Sequence, residues 1–156
     1  MDIVDHQTRS RMMSGIRGKD TQPEIAIRRC LFAHGFRYRL HATGLPGRPD
    51  MVLAKYRAIV FIHGCFWHGH DCRLFRMPAS NRRFWSEKIR RNRARDRKVL
   101  HDLTRDGWRT LIIWECAIRG LREPALARVC RRTARWIVSR SKFLEIRERH
   151  ARTRYE

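Results

Sequence analysis

The spacing of apolar positions predicts a helix, a hairpin and a second, longer helix in the first two thirds of the chain. In TQPEIAIRRCLFAHG, helical spacing begins after Thr21, a common N-cap residue, and Gly35 lies where the helix would end. MVLAKYRAIVFIHG has two β-rich apolar runs on either side of a polar tip, which is typical of a hairpin. Residues 83–106 have the pattern of a long helix that stops at Gly107.

The last third of the chain predicts one more strand and one more helix. WRTLIIWEC, residues 108–116, is continuously apolar, as expected for a strand that is covered on both faces. EPALARVCRRTARWIVSR predicts a helix with Pro124 near its start. Residues 1–20 are expected to form a basic N-terminal arm, and residues 143–156 a frayed basic tail. Because no repeat or domain linker is visible, the order αββαβα predicts a single domain over residues 1–156, an α/β sandwich around a small mixed sheet.

The charge of the chain points to a polyanionic partner. Its 156 residues include 36 Lys and Arg against 15 Asp and Glu, a formal net charge of +21. Residues 81–156 hold 23 of the basic and 9 of the acidic side chains, so +14 of that charge lies in the second half. Arginine outnumbers lysine heavily, which suits bidentate contacts to phosphate. Nucleic acid is therefore the expected partner, and an anionic membrane surface is the weaker alternative.

Neither a membrane span nor an export signal is predicted. No apolar run approaches the roughly 20 residues of a membrane span, and MDIVDHQTRSRMM lacks the apolar centre of a signal peptide. In a cytosolic chain, five cysteines, an odd number, favour thiols and metal ligands over a disulfide framework. Cys30 and Cys130 fall on apolar helix faces and are expected in the core. Because no apolar stripe is left over for a subunit contact, a monomer is expected.

A dense run of metal-ligand residue types lies in IHGCFWHGHDC. Cys65, His70 and Cys72 lie within eight residues of one another, and Cys116 ends the third predicted strand. Three thiolates and one imidazole make a standard closed zinc site, and they suit a borderline-soft cation better than calcium or magnesium. The alternative is that the cysteines are merely buried and the histidine merely exposed. The density of the pattern favours zinc.

Two polar residues interrupt the apolar face of the long predicted helix. Helical spacing places Asn92 and Asp96 on this face. The face otherwise consists of Trp85, Ile89, Val99 and Leu103. An inward polar side chain needs a partner, and His63 and His68, which the zinc set does not use, are candidates for Asp96. In the alternative, a slightly rotated helix lets Asp96 pair with an arginine, and periodicity alone favours neither arrangement.

Two acidic residues have both a chemical and a structural interpretation. Asp50 follows GRP and opens the first predicted strand, where a charge is costly unless it binds something. Pro-Asp is also common in turns, which would explain the residue without chemistry. Glu24 lies three residues after Thr21, so a capping box explains it without catalysis. Both roles are compatible if the N-terminus of the helix points into a site.

Six segments of the chain together resemble the Vsr mismatch endonucleases of bacterial very-short-patch repair. They are TRSRMM, LPGRPD, FIHGCFWHGHDC, FWSEKI, RDR and GWRTLIIWECAIRG, in this order, and the likeness covers roughly residues 8–122. The resemblance implies a restriction-endonuclease-like, three-layer member of the PD-(D/E)xK superfamily with a structural zinc site. It further implies a DNA endonuclease that uses Mg²⁺ to nick one strand 5′ of the T in a T:G mismatch, the product of 5-methylcytosine deamination.

The resemblance also implies two metal sites. Its zinc ligands fall on the four residues already reached from residue types: Cys65, His70, Cys72 and Cys116. Its magnesium-binding carboxylate falls on Asp50, with the backbone carbonyl of Ile62 as a second ligand. A hard cation there would supply the positive charge that phosphodiester hydrolysis needs, and magnesium prefers oxygen ligands.

The resemblance gives roles to four more polar residues. His68 matches the general base, and Asp96 matches the carboxylate that orients it. A histidine suits this role because its pKa is close to working pH, and a carboxylate partner fixes its tautomer. Glu24 and His63 match groups that organise water at the metal beside the scissile phosphate.

Several aromatic residues of this chain match family side chains that, as the resemblance implies, wedge into the DNA stack beside the mismatch. Phe66, Trp67 and Trp85 match this wedge, and Met13 matches a wedge from the opposite groove. Two further residues fall where the family contacts the mismatched pair: Lys88 and Asn92. In the alternative, Phe66 and Trp67 only cover the zinc site, and Trp85 belongs to the core.

Two departures from the family pattern are visible. HGHDC stands where relatives can have a run of histidines, and FIHG replaces the Glu-x-Lys half of the superfamily motif. The expected partner is double-stranded DNA with a T:G mismatch, in the bacterial cytoplasm at the nucleoid, and contacts with other repair proteins are compatible with this. Two alternatives stay open: a zinc-stabilised DNA-binding module without catalysis, and a nuclease for a matched site or another lesion.

Overall fold

The computed structural model describes residues 7–8 and 21–148, apart from the side chain of Pro23. Gln7 and Thr8 are helical. The rest of the predicted basic arm, with Met13, lies outside the described residues, as do residues 149–156. Among the described residues, no helix combines the length and the apolar character that crossing a bilayer requires.

Besides the helical residues 7–8, the described part of the chain contains three α-helices and five strands. The helices are α1 (Gln22–Ala33), α2 (Arg82–Arg105) and α3 (Ala125–Val138). The strands are β1 (Arg39–Leu40), β2 (Met51–Leu53), β3 (Ala58–His63), β4 (Arg109–Trp114) and β5 (Phe143–Ile146). Short 3₁₀ helices follow β2 and β4, at Ala54–Tyr56 and Glu115–Ala117. The three predicted helices and three predicted strands are all present.

The strands form one mixed sheet in the order β1-β2-β3-β4-β5. β1, β2 and β3 pair antiparallel, which confirms the predicted hairpin, whereas β3, β4 and β5 pair parallel. The prediction of an α/β fold around a small mixed sheet is therefore confirmed. The prediction of a frayed tail from residue 143 is wrong at its start, because residues 143–146 form β5. Its four residues pair with β4, about thirty positions earlier, and so short a segment carries no periodic signal of its own.

Alternate residues of the central strands contribute to two separate hydrophobic clusters. Val60 of β3 belongs to a cluster that includes residues of α1 and α3, whereas Phe61 belongs to a cluster that includes Leu103 of α2. The same alternation holds for Leu111 and Ile112 of β4. Because successive side chains of a strand point to opposite faces, α1 and α3 lie against one face of the sheet and α2 against the other.

A disulfide joins α1 to α3, so the expectation that no cysteines pair is wrong. Cys30 and Cys130 are bonded, with their Cα atoms 6.1 Å apart. Both residues do lie on the apolar faces of their helices, as predicted. An odd cysteine count cannot reveal this pairing, because the two thiols meet only when the helices pack side by side.

Arg109 at the start of β4 joins several chain segments through its guanidinium group. The group donates hydrogen bonds to the carbonyl oxygens of Tyr56, Trp136, Ile137 and Ser141, at 2.7–3.2 Å. It also lies over the Trp136 ring, 4.7 Å from the centroid. Two of these carbonyls belong to the last turn of α3, where helix carbonyls lack partners within the helix.

We expect Arg109→Lys to lower the free energy of unfolding by about 1–3 kcal/mol, because an ammonium group cannot reproduce the planar set of donors. Urea unfolding measures the difference. Arg140→Lys, at an exposed position, is the matched control and should change stability by less than about 0.5 kcal/mol. Equal effects of the two substitutions would contradict the role of Arg109.

Candidate active site and metal sites

The carboxyl ends of β3 and β4 bring the candidate residues together. Because the two strands pair parallel and in register, His63 lies opposite Trp114, and both strands end at the same edge. Residues 64–72 follow β3, and the 3₁₀ turn that contains Cys116 follows β4. Parallel strands generally present ligand-binding loops at their carboxyl ends.

The predicted zinc ligands form one compact group. Cys65, His70, Cys72 and Cys116 each offer a ligand atom, and these atoms all lie within 4.8 Å of one another. Cys116 Sγ lies 3.6 Å from His70 Nδ1. The structure therefore brings together all four residues that were predicted from residue types.

The surroundings of this group favour a bound cation. Burial raises the pKa of the Cys65 thiol and that of the Cys116 thiol. A coordinated cation reverses this effect, because metal-bound thiols are deprotonated. The indole of Trp114 stacks on His70 with ring centroids 4.1 Å apart, and the Glu148 N–H points to Cys116 Sγ at 3.5 Å. The donor set thus fits a thiophilic divalent cation.

His68 and Asp96 form a close pair. His68 Nδ1 lies 2.6 Å from Asp96 Oδ2. Burial alone would raise the pKa of Asp96, but the hydrogen bond and the charge of His68 outweigh it and lower the pKa overall. The open question about the helix face is thereby answered, because Asp96 faces His68 rather than an arginine. The other polar residue of that face, Asn92, donates its amide to the Trp67 carbonyl at 2.8 Å.

His63 lies directly against His68. The two imidazoles stack with centroids 3.8 Å apart and planes 2° apart. Burial lowers the pKa of His63 to about 3, and the neighbouring His68 contributes to this shift. His63 is therefore neutral near pH 7, and its buried Nδ1 atom has no hydrogen-bond partner among the described residues.

Asp50 lies beside the backbone of β3. Its Oδ2 atom accepts a hydrogen bond from the Ile62 N–H at 2.6 Å. The pKa of Asp50 is raised to about 6, chiefly by burial and also by the charge of Glu24, although the Ile62 hydrogen bond and the charge of Arg28 oppose the shift. A buried carboxylate with a second acidic group nearby is a suitable location for a divalent cation with oxygen ligands.

Glu24 does not form the predicted capping box. Thr21 is the N-cap residue of α1 but makes no side-chain capping bond. Its hydroxyl instead donates to Glu24 Oε1 at 3.0 Å, and Arg28 donates to Glu24 Oε2 at 2.9 Å. The carboxylate is 4% exposed and turned inward, so the capping-box explanation of Glu24 is wrong.

A cavity of about 400 Å³ opens beside the two histidines. It is lined by His63, His68 and Asp96, together with Arg48 and Arg95. Two guanidinium groups beside an imidazole–carboxylate pair suit a phosphate ester. Asp50 is not among the residues that line this cavity. It is connected to the cavity through β3, because its hydrogen-bond partner Ile62 precedes His63 in that strand.

The predicted wedge residues form a cluster of edge-to-face rings. Phe66 lies 5.2 Å from Trp67 and 5.3 Å from Trp85, measured between ring centroids. Lys88 Nζ lies 5.6 Å from the Trp67 centroid. Phe84, whose ring is 5.2 Å from that of Trp85, is 58% exposed. All four aromatic residues are at least partly accessible, so they are not simply core.

Gly69 separates the two candidate site histidines of the loop, His68 and His70. Its φ angle is +61°, in the left-handed region, and a Cβ atom there would lie 2.6 Å from Ile89 Cγ2. The segment HGHDC, where relatives can have a run of histidines, therefore suits a loop that packs closely on α2.

Sequence reasoning missed several residues of the site. Trp114 contacts His63, His68 and His70 with its ring, and its position next to Glu115–Cys116 in WEC was the available signal. Arg48 and Arg95 could not be separated from the many other arginines. Phe84 adjoins Trp85, and a pair of adjacent aromatics before a polar helix was a usable sign.

Comparison with known proteins identifies the family. Residues 1–74 match the family described as DNA mismatch endonuclease Vsr. The chain is 43% identical over 136 residues to the DNA mismatch endonuclease Vsr of Escherichia coli (strain K12), which covers 87% of each chain. It is 43% identical over 120 residues to the type II nicking enzyme V.XorIIP of Xanthomonas oryzae pv. oryzae, covering 77% of this chain and 88% of the relative. The type II nicking enzyme V.NmeAIP of Neisseria meningitidis serogroup A is 44% identical over 119 residues, covering 76% of this chain and 85% of the relative.

These similarities define an enzyme that acts on DNA. The chain belongs to the Vsr family of DNA mismatch endonucleases, and it is a DNA endonuclease. The alternative of a DNA-binding module without catalysis is therefore wrong. The family also implies a divalent metal ion, for which the groups around Asp50 and around Cys65 are candidates.

The raised pKa of Asp50 predicts a pH-dependent cost in the metal-free protein. The Asp50 carboxyl ionises near pH 4 in the unfolded chain and near pH 6 in the folded protein. Its contribution to the free energy of unfolding should therefore fall as pH rises through this interval. Asp50→Asn keeps an acceptor for Ile62 and removes the charge. In EDTA at pH 8 it should be more stable than wild type by up to about 3 kcal/mol, with little difference at pH 4.

Urea unfolding at the two pH values measures this effect. Asp106→Asn, at an exposed position, is the control and should follow the wild-type pH dependence. If the difference in free energy of unfolding between wild type and Asp50→Asn is the same at pH 8 and pH 4, the carboxylate of Asp50 is not destabilised by burial.

Proposed function

We propose that this endonuclease nicks one strand of duplex DNA 5′ of the T in a T:G mismatch that arises by deamination of 5-methylcytosine. The observation that carries the proposal is the His68–Asp96 pair at 2.6 Å, stacked on His63 in a cavity with two arginines. Family membership supports the mismatch substrate. A restriction-endonuclease-like, three-layer sandwich is part of the proposal, supported by the hydrophobic clusters that alternate across β3 and β4.

His68 is the general base in this proposal. Asp96 accepts the Nδ1–H, which leaves the Nε2 lone pair to take a proton from the attacking water. As His68 becomes an imidazolium, the Asp96 carboxylate stabilises the new charge. The lowered pKa of Asp96 keeps it ionised at working pH. Trp114 limits the movement of His68 by ring contact.

His63 and the neighbouring charges orient the reacting groups. His63 is neutral and lines the cavity beside His68, so in this proposal its imidazole orders a water molecule near the phosphate. Arg48 and Arg95 bind the nonbridging phosphate oxygens. Glu24, held by Arg28, contributes a second acidic group beside Asp50 that orders water.

Asp50, with the backbone carbonyl of Ile62, holds Mg²⁺ in this proposal. The fit rests on the buried carboxylate with its raised pKa, since a divalent cation would offset the cost of ionising it. The ion supplies positive charge that stabilises the phosphate and the leaving oxygen. Asp50 Oδ2 already accepts the Ile62 N–H, so Oδ1 is the carboxylate oxygen that would be left to bind a cation.

Cys65, His70, Cys72 and Cys116 hold a structural Zn²⁺. Protein side chains would fill all four coordination positions of the ion, as in closed structural zinc sites. The ligands enclose the segment 66–69, so the ion fixes the loop that carries Phe66, Trp67 and His68. The wedge and the general base are thereby held on one rigid segment.

Phe66, Trp67 and Trp85 wedge into the stacked bases beside the mismatch, with Met13 entering from the opposite groove. The accessible ring cluster supports this role, and a wobble pair costs less to distort than a matched pair. Lys88, which lies over these rings, contacts the mismatched pair. Asn92 supports the wedge through the Trp67 carbonyl and contacts the same pair. The protein acts as a monomer on double-stranded DNA, and other repair proteins are compatible further partners.

A nicking assay tests the substrate. Wild-type protein with Mg²⁺ should nick a labelled duplex with one T:G mismatch, and cut the matched T:A duplex at least about 10²-fold more slowly, because each lost recognition contact costs a few kcal/mol. Asp50→Ala should abolish nicking, whereas Asp106→Ala should retain it. Several flanking sequences are needed, since base contacts outside the mismatch set their own preference.

The outcomes separate the remaining alternatives. Equal cutting of T:G and T:A duplexes would indicate a nuclease for a matched site and would overturn the mismatch proposal. Full activity of Asp50→Ala would overturn the assigned magnesium ligand while leaving the substrate intact.

A second experiment tests the general base. His68→Ala should lower the nicking rate by about 10²–10⁴-fold, and Asp96→Asn by roughly 10²-fold or more, because the amide no longer stabilises the imidazolium. Single-turnover kinetics isolate this step from DNA binding. His101→Ala, at an exposed position on α2, is the control. A rate change below tenfold in both site variants would contradict the role of the pair.

A further inference from the structure

A second cluster of metal-ligand residue types lies away from the active site, between α1 and α3. Cys30 lies in α1, His34 is the C-cap residue of the same helix, and Cys130 lies in the middle of α3. Their ligand atoms all lie within 4.8 Å of one another, and Cys130 Sγ is 3.6 Å from His34 Nδ1. Cys130 is buried whereas His34 is exposed, so the cluster is open to solvent on one side.

This cluster is separate from the proposed zinc site. Cys30 and Cys130 lie on the two helices that cover one face of the sheet, and Cys30 packs against the hydrophobic cluster there. Cys65, Cys72 and Cys116 belong to the cluster on the other face. The catalytic proposal uses none of the three residues Cys30, His34 and Cys130.

The separations suit a tetrahedral cation once the two sulfur atoms are reduced. With bonds of about 2.3 Å to sulfur and about 2.0 Å to nitrogen, neighbouring ligand atoms lie roughly 3.5–3.8 Å apart. The distance between His34 Nδ1 and Cys130 Sγ already has this value. The Cα atoms of the two cysteines are 6.1 Å apart, so rotation of the side chains suffices to separate the sulfur atoms.

We propose that Cys30, His34 and Cys130 form a second, redox-dependent metal site, which takes a thiophilic divalent cation such as Zn²⁺ when the disulfide is reduced. A dithiol reductant supplies two electrons and two protons and closes into its own disulfide, while Cys30 and Cys130 become thiols. Cation binding then releases these two protons to solvent and forms two metal–thiolate bonds.

His34 makes the site more than a pair of thiols. Its Nδ1 atom also lies 2.9 Å from the Cys30 carbonyl, so binding through Nδ1 moves the imidazole proton to Nε2 and gives up that hydrogen bond. The C-terminus of α1 carries partial negative charge, which favours a cation at this position. Three protein ligands leave one coordination position to water, so this site should exchange its ion faster than the four-ligand site.

Metal stoichiometry tests the proposal on the full chain. One sample is kept oxidised, and another is treated with a small dithiol that is removed by gel filtration under nitrogen. Both are saturated with Zn²⁺, freed of excess ion and analysed for bound metal, and titration with Co²⁺ follows the thiolate charge-transfer absorbance. The reduced wild type should hold one equivalent more than the oxidised wild type.

Three variants assign the additional equivalent. Reduced Cys130→Ser should lose the additional equivalent of metal. It should keep the equivalent assigned to the structural site, which also reports that the protein is folded. Reduced His34→Ala should bind the additional equivalent at least about tenfold more weakly, because one of three protein ligands is gone, whereas His101→Ala should match wild type. Reduced Cys72→Ser should keep it and lose the equivalent assigned to the structural site.

Four results would overturn the second site. They are a disulfide that the dithiol does not reduce, equal metal content in the oxidised and reduced wild type, an unchanged stoichiometry in Cys130→Ser, and an unchanged affinity in His34→Ala. Retention of both equivalents by Cys72→Ser would instead count against the structural zinc proposal, so the two proposals fail by different observations.

Discussion

The in-register parallel pairing of β3 with β4 is the constraint on which the site depends. It places His63 opposite Trp114, so that the loop after one strand and the 3₁₀ turn after the other meet at one edge. Cys116 thereby reaches three ligands from a loop that ends 44 positions earlier, and the Trp114 ring contacts the histidines of both groups. A shift by one residue would turn these side chains to the other face of the sheet.

The polar groups at this edge are buried or half-buried in a protein with a net charge of +21. Asp50, Glu24 and Asp96 are among its 15 acidic residues, and each is turned inward toward a partner, at Ile62, Arg28 and His68 respectively. Burial makes these charges costly, and the raised pKa of Asp50 and the lowered pKa of His63 record that cost. Groups with strongly shifted pKa values are concentrated at functional sites, and His63 lines the cavity while Asp50 lies beside the same strand.

The two faces of the sheet have different sulfur chemistry. The face that α2 covers has three free thiols and an imidazole, which lie at the carboxyl ends of β3 and β4. The opposite face has two cysteines that face each other between helices and form a disulfide, and only a two-electron reductant would turn them into thiols. Both clusters use the same residue types, but strand-end loops carry the first and two packed helices carry the second.

Local spacing and residue type were enough to predict the helices, the central strands and the four zinc-ligand candidates, whereas they left open whether Asp96 faces inward. Packing between the elements established that Asp96 meets His68, that Glu24 binds Arg28 rather than capping α1, and that Arg48 and Arg95 line the cavity. It also decided β5 and the Cys30–Cys130 bond. These features depend on how the elements pack, most of them joining segments far apart in the chain, and no periodicity within one segment specifies its distant partner.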